Sequence, residues 1–228
     1  MGALYRRRRR SLTSLFASSA VAASAVASLL VAGCGGSNHQ YISNGTENLF
    51  FRVPKDWTIF RLSQTDGDGR VPAQPSGADR TWHVLADASP AATADNARQD
   101  AMPDAPVAVA EVWKFDFSHN EQMSQTRMRS TLFGGFDPLL QDPGLPAEWE
   151  VVSAAAVDFG KGVLGYRVVI NQPTPEDPTV FRTISGTSAF DATSSTMYLL
   201  KVLCKSECYK ANQAAIDDVA TSWTVNRK

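Results

Sequence analysis

The sequence predicts an α+β protein in which a mainly antiparallel sheet is covered by helices. Apolar runs of strand length recur between clusters of Gly, Pro, Asp and Asn from residue 49 onward. One of them, Met197–Cys204, is apolar on both faces apart from Lys201, so we expect a central strand with a layer packed on each side. After it, Ala211, Val219 and Trp223 recur near one face of a closing helix.

The first 33 residues are typical of an export signal. The basic run Arg6–Arg10 precedes an Ala-rich apolar stretch, Leu15–Val31, which is a poor permanent membrane span. Val31–Cys34 then resembles the lipobox of bacterial lipoproteins. That resemblance implies cleavage before Cys34 and lipidation of its thiol, followed by palmitate-type acylation. Each methylene of an acyl chain that is buried in the bilayer adds roughly 0.8 kcal/mol to membrane binding, so two chains anchor a protein stably where one binds only marginally.

Two alternatives stay open for this segment. It would also suit an ordinary secretory signal or a single-span anchor in which Cys34 is incidental. Arg9–Leu12 partly matches a twin-arginine signal, so the pattern does not separate the two export routes. We predict a signal peptide over 1–33, a lipidated polar tether over 34–46 and one domain over 47–228.

Charge and length describe the mature part. Removing residues 1–33 from the 228-residue chain leaves 195 residues, which is enough for one domain with a real core. The chain has 22 basic and 23 acidic residues, and the removed segment contains five of the arginines and no acid, so the mature net charge is −6. A mildly acidic surface argues against nucleic acid as a partner and against binding anionic lipid by charge alone.

The pattern also predicts individual elements. Four apolar runs are expected to be strands of one sheet: Val107–Phe117, Val163–Ile170, Val180–Phe190 and Met197–Leu203. Further strands are expected at Leu49–Pro54, Trp57–Leu62, Trp82–Ala86 and Val151–Asp158, with the first two running out and back. Helices are expected over roughly 119–132, after the capping-box pattern Ser118–Glu121, and over roughly 208–222.

Cys204 and Cys208 form an even pair once Cys34 is acylated. Their spacing suits a local disulfide where a strand turns into a helix, in the oxidising compartment that export implies. A redox Cys-x-x-Cys motif needs two intervening residues, whereas this pair has three. A two-cysteine metal site has no nearby His to complete it. We favour the structural disulfide over the metal site.

Motifs of known chemistry are missing from the sequence. It has no Gly-x-Ser-x-Gly elbow, phosphate-binding loop, dinucleotide fingerprint or zinc-protease helix motif. His83 or His119, each with a nearby acid, could be imagined as a general base, but a lone histidine is more often a surface or core residue. We therefore predict no catalytic residues, no metal site and no cofactor.

A family resemblance rests on both ends of the domain. Phe51–Trp57 resembles the opening of the PsbP-like α/β sandwich, and Ile216–Val225 is similar to the closing helix and terminal segment of that fold. Cys204 and Cys208 at this junction are similar to what LpqN-type actinobacterial lipoproteins show. The likeness runs from about Leu49 to Val225. It implies an antiparallel sheet covered by helices and a binding or accessory role in an envelope or membrane complex.

These observations lead to one main functional prediction. The chain is expected to be a non-enzymatic binding or accessory lipoprotein of the cell envelope, on the extracytoplasmic side of the cell membrane. Its partners would be the bilayer, through Cys34, and an envelope protein or an apolar ligand. One alternative is a carrier of an apolar small molecule or lipid, which an enclosed apolar cavity would favour. Another is an unrecognised hydrolase, which a cleft with paired titratable groups would favour.

Overall fold

The structure is a computed structural model that describes residues 37–62, 78–98, 101–115, 124–140, 149–174, 177–191, 193 and 195–225. The chain divides into two compact units, 1–36 and 37–228. The predicted signal peptide, Cys34 and His119 lie outside the described residues, as does the Ser118–Glu121 pattern. Within the described ranges, no helix is long and apolar enough to cross a membrane.

The described elements follow one another in a β-rich order. They are β1 (His39–Asn44), β2 (Leu49–Pro54), β3 (Thr58–Arg61), β4 (Ala78–Asp87), a 3-10 turn (Ala94–Ala97), β5 (Val107–Phe115), α1 (Gln125–Leu132), β6 (Glu150–Gly160), β7 (Val163–Pro173), β8 (Phe181–Phe190), β9 (Thr196–Lys205), α2 (Ser206–Ala211) and α3 (Gln213–Ser222).

Seven of the described strands form the main sheet, in the order β3-β4-β5-β9-β8-β7-β6, and each neighbouring pair is antiparallel. The predicted α+β class with an antiparallel sheet is confirmed. The apolar strand β9 lies in the middle of the seven, as its two apolar faces predicted. A two-residue turn at Lys161 and Gly162, both with positive φ, joins β6 to β7 and matches the twist of the hairpin.

The N-terminal boundary of the domain differs from the prediction. Residues 39–44, assigned to a polar tether over 34–46, form β1 and pair antiparallel with β2. The tether assignment failed because β1 is mostly polar, while its one buried apolar residue, Ile42, is fully buried in the core. The predicted out-and-back pairing of β2 with the next strand is also wrong, since β2 belongs to the small sheet and β3 pairs with β4.

One face of the main sheet carries the β1–β2 hairpin and the C-terminal helices. Backbone hydrogen bonds join Phe50 and Thr224 in both directions, at 3.1 and 2.9 Å, and so fasten β2 to the segment after α3. Ile216, Val219 and Trp223 belong to the same buried cluster as the strand residues of this face. The closing segment predicted from its helical spacing therefore does cover the sheet.

Helix α1 covers part of the opposite face. Met128 and Leu132 of α1 pack with strand residues in a second buried cluster. The backbone of β8 approaches α1 closely at Gly186, where an added Cβ would meet Leu132 Cδ2 at 3.1 Å. Ser188 Oγ donates a hydrogen bond to the Met128 carbonyl at 2.9 Å, so the sheet and the helix are joined by a polar contact as well.

The predicted closing helix over 208–222 is two helices, and the prediction of one continuous helix is wrong. The break falls at Asn212, whose backbone has φ −112 and ψ 14. Its side-chain Nδ2 donates to the Cys208 carbonyl at 2.9 Å. Asparagine side chains compete in this way for helix carbonyls and favour a helix end. The helix predicted over 119–132 ends at Leu132 as predicted, but its predicted start is wrong, because α1 begins at Gln125. Ser124, whose backbone is extended, caps it by accepting a hydrogen bond from the Arg127 N–H.

Candidate functional site

A buried group of charged side chains lies on the α1-facing side of the sheet, at its centre. Val109 pairs with Lys201 and Glu111 pairs with His83, so β4, β5 and β9 each contribute one member to neighbouring positions on one face. Arg80 of β4 completes the group. The side chains of Arg80, His83 and Glu111 are 7%, 1% and 0% exposed, and Lys201 as a residue is 1% exposed. We call these four residues the Glu111 cluster.

The Glu111 carboxylate is the hydrogen-bonding centre of the cluster. Arg80 Nη1 donates to Oε1 at 2.8 Å, and Trp113 Nε1 donates to Oε2 at 3.1 Å. His83 Nε2 lies 3.3 Å from Oε1. The Arg80 guanidinium also stacks 5.2 Å from the centre of the Trp113 ring. Because a buried carboxylate is costly without partners, this set of contacts is what permits its position in the core.

Lys201 lies in less favourable surroundings. Its Nζ has no hydrogen-bond partner within the described part of the chain, and it lies 5.7 Å from the centre of the Phe133 ring, at the end of α1. A desolvated ammonium gains from the negative face of an aromatic ring, but less than from a carboxylate contact. Lys201 is therefore the member of the cluster whose charge the protein compensates least.

Burial shifts the pKa of both central groups. It raises the pKa of Glu111 from its ordinary value of 4.5 to about 6, with the hydrogen bond from Arg80 opposing the shift. Burial lowers the pKa of Lys201 from 10.5 to about 7, while the Glu111 charge opposes that shift and Arg182 adds to it. Both shifts favour the neutral forms, which is the expected response of ionisable groups in an apolar interior.

The cluster brings His83 beside an acid, as a general base would need. A base must also reach a substrate, and these side chains are closed inside the core rather than in a cleft. In this conformation the Glu111 carboxylate links β4 to β5 through Arg80 and His83.

Sequence reasoning missed this cluster, although one signal for it was present. The alternation that places Val109 and Trp113 on the buried face of β5 also places Glu111 there. A charged residue at a buried strand position needs a partner, and Lys201 is the matching exception in β9. Their spatial proximity depends on the pairing of β5 with β9, about 90 residues apart in the sequence. The sequence of either strand alone does not predict this pairing.

A second feature is an open groove between the outer strands and the C-terminal helices. Its volume is about 370 Å³, and its lining includes Val152, Ala155, Arg167, Tyr209 and Asp217. Arg167 Nη2 donates to Asp217 Oδ1 at 2.8 Å across one side of the groove. This groove is open and carries an ion pair, so it is unlike the enclosed apolar cavity that an apolar carrier would need.

The predicted cysteine pair lies at the junction of β9 and α2. A disulfide joins Cys204 to Cys208, with their Cα atoms 6.0 Å apart, so the predicted bond is present. Cys204 is fully buried in the cluster beneath the C-terminal helices, and the disulfide joins β9 to α2.

The remaining histidine that the structure describes, His39, lies at the surface, with its Nε2 3.0 Å from Asp218. The described residues contain no group of three His, Cys, Asp or Glu side chains that could hold a metal ion.

Comparison with known proteins gives solved structures only. No family model matches the chain. No curated protein matches it either. The cyanobacterial PsbP (CyanoP) of Synechocystis sp. PCC 6803 is 14% identical, with 86% of this chain and 98% of that one covered and a TM-score of 0.47. LpqN, described as involved in cell envelope biogenesis of Mycobacterium tuberculosis, is 13% identical, with 83% and 92% covered and a TM-score of 0.48.

A third similar structure is the Ran-binding protein Mog1p of Saccharomyces cerevisiae. It is 8% identical, with 82% of this chain and 95% of that one covered and a TM-score of 0.42. Solved structures of a PsbP and of an LpqN are thus both among the matches. At these identities the likeness concerns the fold.

Proposed function

We propose that this chain is a lipoprotein on the extracytoplasmic side of the cell membrane, anchored through acyl chains on Cys34, whose domain binds another component of the envelope. The stretch Val31–Cys34 carries this proposal. It follows a basic run and an apolar segment in the order that a lipoprotein signal requires. The proposed partner is an envelope protein, and the proposed role is accessory and non-enzymatic.

Two structural observations support an exported, surface-held domain. The second compact unit begins at Ser37, three residues after Cys34, so an anchor on that cysteine would hold the domain close to the bilayer. The Cys204–Cys208 disulfide suits an oxidising compartment. The burial of the Glu111 cluster argues against that cluster as a hydrolytic acid and base, because these groups need contact with substrate.

The anchor is tested on the full-length chain in a bacterial host that processes lipoproteins. We expect the mature N-terminal peptide from the membrane fraction to begin at Cys34 and to carry the mass of a diacylglyceryl group and an added fatty acid. Cys34→Ala should lose this modification and its membrane retention, whereas the neighbouring control Ser37→Ala should keep both. An unmodified Cys34 in membrane-derived wild-type protein would refute the anchor.

The binding role needs a separate measurement. Cross-linking in intact cells, followed by identification of the bound proteins, should recover an envelope protein with the wild-type chain and much less of it with Cys34→Ala. Recovery of the same proteins at the same yield with both chains would mean that the anchor does not bring the domain to its partner. Release of a lipid from the purified, delipidated domain would instead favour the apolar carrier.

A further inference from the structure

Strand β6 is the outer strand at one end of the main sheet. Among the described strands it pairs only with β7, so one side of its backbone lacks a strand partner. It is eleven residues long, whereas the strand at the other end, β3, has four. A row of free N–H and C=O groups on a long outer strand is a template for another strand, and native proteins commonly block it.

Within the described part of the chain, most of β6 is left uncovered by the layers that pack on the sheet. Seven consecutive positions, 150–156, include only one that is even half-buried, and Val152 is 54% exposed. The strand contains neither proline nor lysine, the residues that most often discourage pairing at a sheet edge. Its middle is Ala154–Ala156, whose small side chains leave room for another strand to approach. Two register shifts beside β7, at Val151/Ser153 and Asp158/Gly160, are irregularities of the kind that can discourage edge pairing, but the stretch between them is regular.

We propose that β6 is a self-association edge, and that it pairs antiparallel with β6 of a second copy of this chain. Two seven-stranded sheets then become one continuous sheet across the pair. A twofold axis perpendicular to the sheet relates the copies, so one residue must lie opposite itself, and the same surface is used on both sides.

Length and charge select the register. A register centred on Ala155 sets all eleven residues of the strand against the second copy, across both register shifts. It places Glu150 opposite the second copy's Gly160, next to its Lys161. A centre at Ala154 would instead set Glu150 opposite Asp158, and like charges directly opposite each other destabilise a strand pair. A centre at Ala156 would place Glu150 beyond the end of the partner strand. The register centred on Ala155 therefore gives the most pairing and the complementary charges.

This register is tested by cysteine substitution in the full-length chain, in membranes, with copper-phenanthroline as the oxidant. Side chains directly opposite have Cβ atoms about 4.5–5.5 Å apart, so Ala155→Cys should form a disulfide-linked pair of copies. Ser153 is also exposed, but the two Ser153→Cys side chains would be separated by about four residues, roughly 14 Å along the strand. We expect at least tenfold more linked dimer from Ala155→Cys than from Ser153→Cys, and none from the wild-type chain.

Several results would overturn the proposal. They are the absence of dimer with Ala155→Cys, equal dimer with Ser153→Cys, or a linked product whose mass is not that of two copies. The last result would assign the edge to a different protein. The comparison is repeated in a Cys34→Ala background, because a Cys34 that is not acylated is a free thiol and could itself link two copies. In that background none of these outcomes depends on the anchor.

A charge exchange tests the register independently. In the Ala155→Cys background, Glu150→Lys or Lys161→Glu alone places like charges together, and each should lower the dimer yield about threefold or more. The double variant restores opposite charges and should recover most of the yield. Both residues lie at the surface, and thermal melting should confirm that each variant stays folded. A double variant that behaves like the sum of the singles would overturn the register.

Discussion

Trp113 Nε1 donates a hydrogen bond at 3.1 Å to Oε2 of Glu111, two residues earlier on the same strand and the same face. This hydrogen bond fixes the orientation of the carboxylate, whose other oxygen accepts a hydrogen bond from Arg80. The carboxylate is held in the core only while these donors face it. The consequences for stability can be measured on the folded protein.

Removing the carboxylate should be strongly destabilising. Glu111→Ala leaves the buried Arg80 charge and the Trp113 N–H without their acceptor, and breaking one partner of a buried ion pair typically costs about 3–5 kcal/mol. We expect Glu111→Gln to cost less, since its amide oxygen still accepts. The free energy of unfolding from urea titration measures both. The exposed control Asp56→Ala should change it by less than about 0.5 kcal/mol. A loss below about 1 kcal/mol for Glu111→Ala would contradict the central role of the carboxylate.

Replacing the lysine should have the opposite sign. Lys201→Met keeps an unbranched chain of similar length but removes an ammonium that is fully desolvated and has no hydrogen-bond acceptor in the described structure. We expect it to stabilise the fold by roughly 2 kcal/mol at pH 7, as replacement of buried charges by apolar groups often does. Lys210→Met, at an exposed site of α2, is the matched control and should be nearly neutral. Destabilisation by Lys201→Met would show that the cluster needs the positive charge.

The pH dependence of stability should change sign across the neutral range. Between the ordinary pKa of Glu111, 4.5, and its folded value of about 6, the folded state binds more protons, so the free energy of unfolding falls as pH rises. Between the folded pKa of Lys201, about 7, and its ordinary 10.5, the unfolded state binds more protons, so the free energy of unfolding rises with pH.

The contribution of this pair should therefore be lowest between about pH 6 and 7. Urea titrations from pH 5 to 10, on wild type and on Glu111→Gln/Lys201→Met, measure the contribution as a difference between the two profiles. A difference that does not vary with pH would contradict the assigned protonation states.

The disulfide should contribute stability but no chemistry. A bond that closes so short a loop stabilises by roughly 2 kcal/mol in the chain-entropy model, less if the reduced junction keeps its shape. We expect Cys204→Ser/Cys208→Ser to lower the free energy of unfolding by that amount and to leave partner binding intact. Alkylation of the unreduced mature protein should label neither cysteine. A double variant that keeps its melting temperature but loses binding would mean that the pair is a working thiol couple.

Two glycines of the sheet should respond differently to alanine. A Cβ at Gly165 would meet the Ser188 carbonyl oxygen at 2.7 Å and a ring carbon of Phe159 at 2.8 Å, so the backbone itself must move. At Gly186 it would meet only Leu132 side-chain atoms, from 3.1 Å outward, and that side chain can adjust. We expect Gly165→Ala to destabilise by about 2–3 kcal/mol and Gly186→Ala by roughly 1 kcal/mol. Equal costs, measured by urea titration, would contradict the assigned contacts.

Local patterns predicted the strands and the closing helical segment, because burial on one or two faces leaves a period in the sequence. They predicted the disulfide because its two residues are neighbours along the chain. They did not predict β1, in which Ile42 is the one fully buried residue. The Glu111 cluster was missed for another reason, since its members meet only through the pairing of β4, β5 and β9, and pairing partners are a property of the whole sheet.

The position of β9 decides when this domain can be completed. Thr196–Lys205 lies near the end of the chain, yet it is the strand that joins β3-β4-β5 to β8-β7-β6. Before those residues emerge, a nascent chain lacks the strand between β5 and β8, so the inner edges of these two strands and the apolar surface beside them stay exposed. A chain that ends before Thr196 should therefore be degraded or aggregate. In the full-length chain the sheet is completed late, once β9, α2 and α3 have been synthesised.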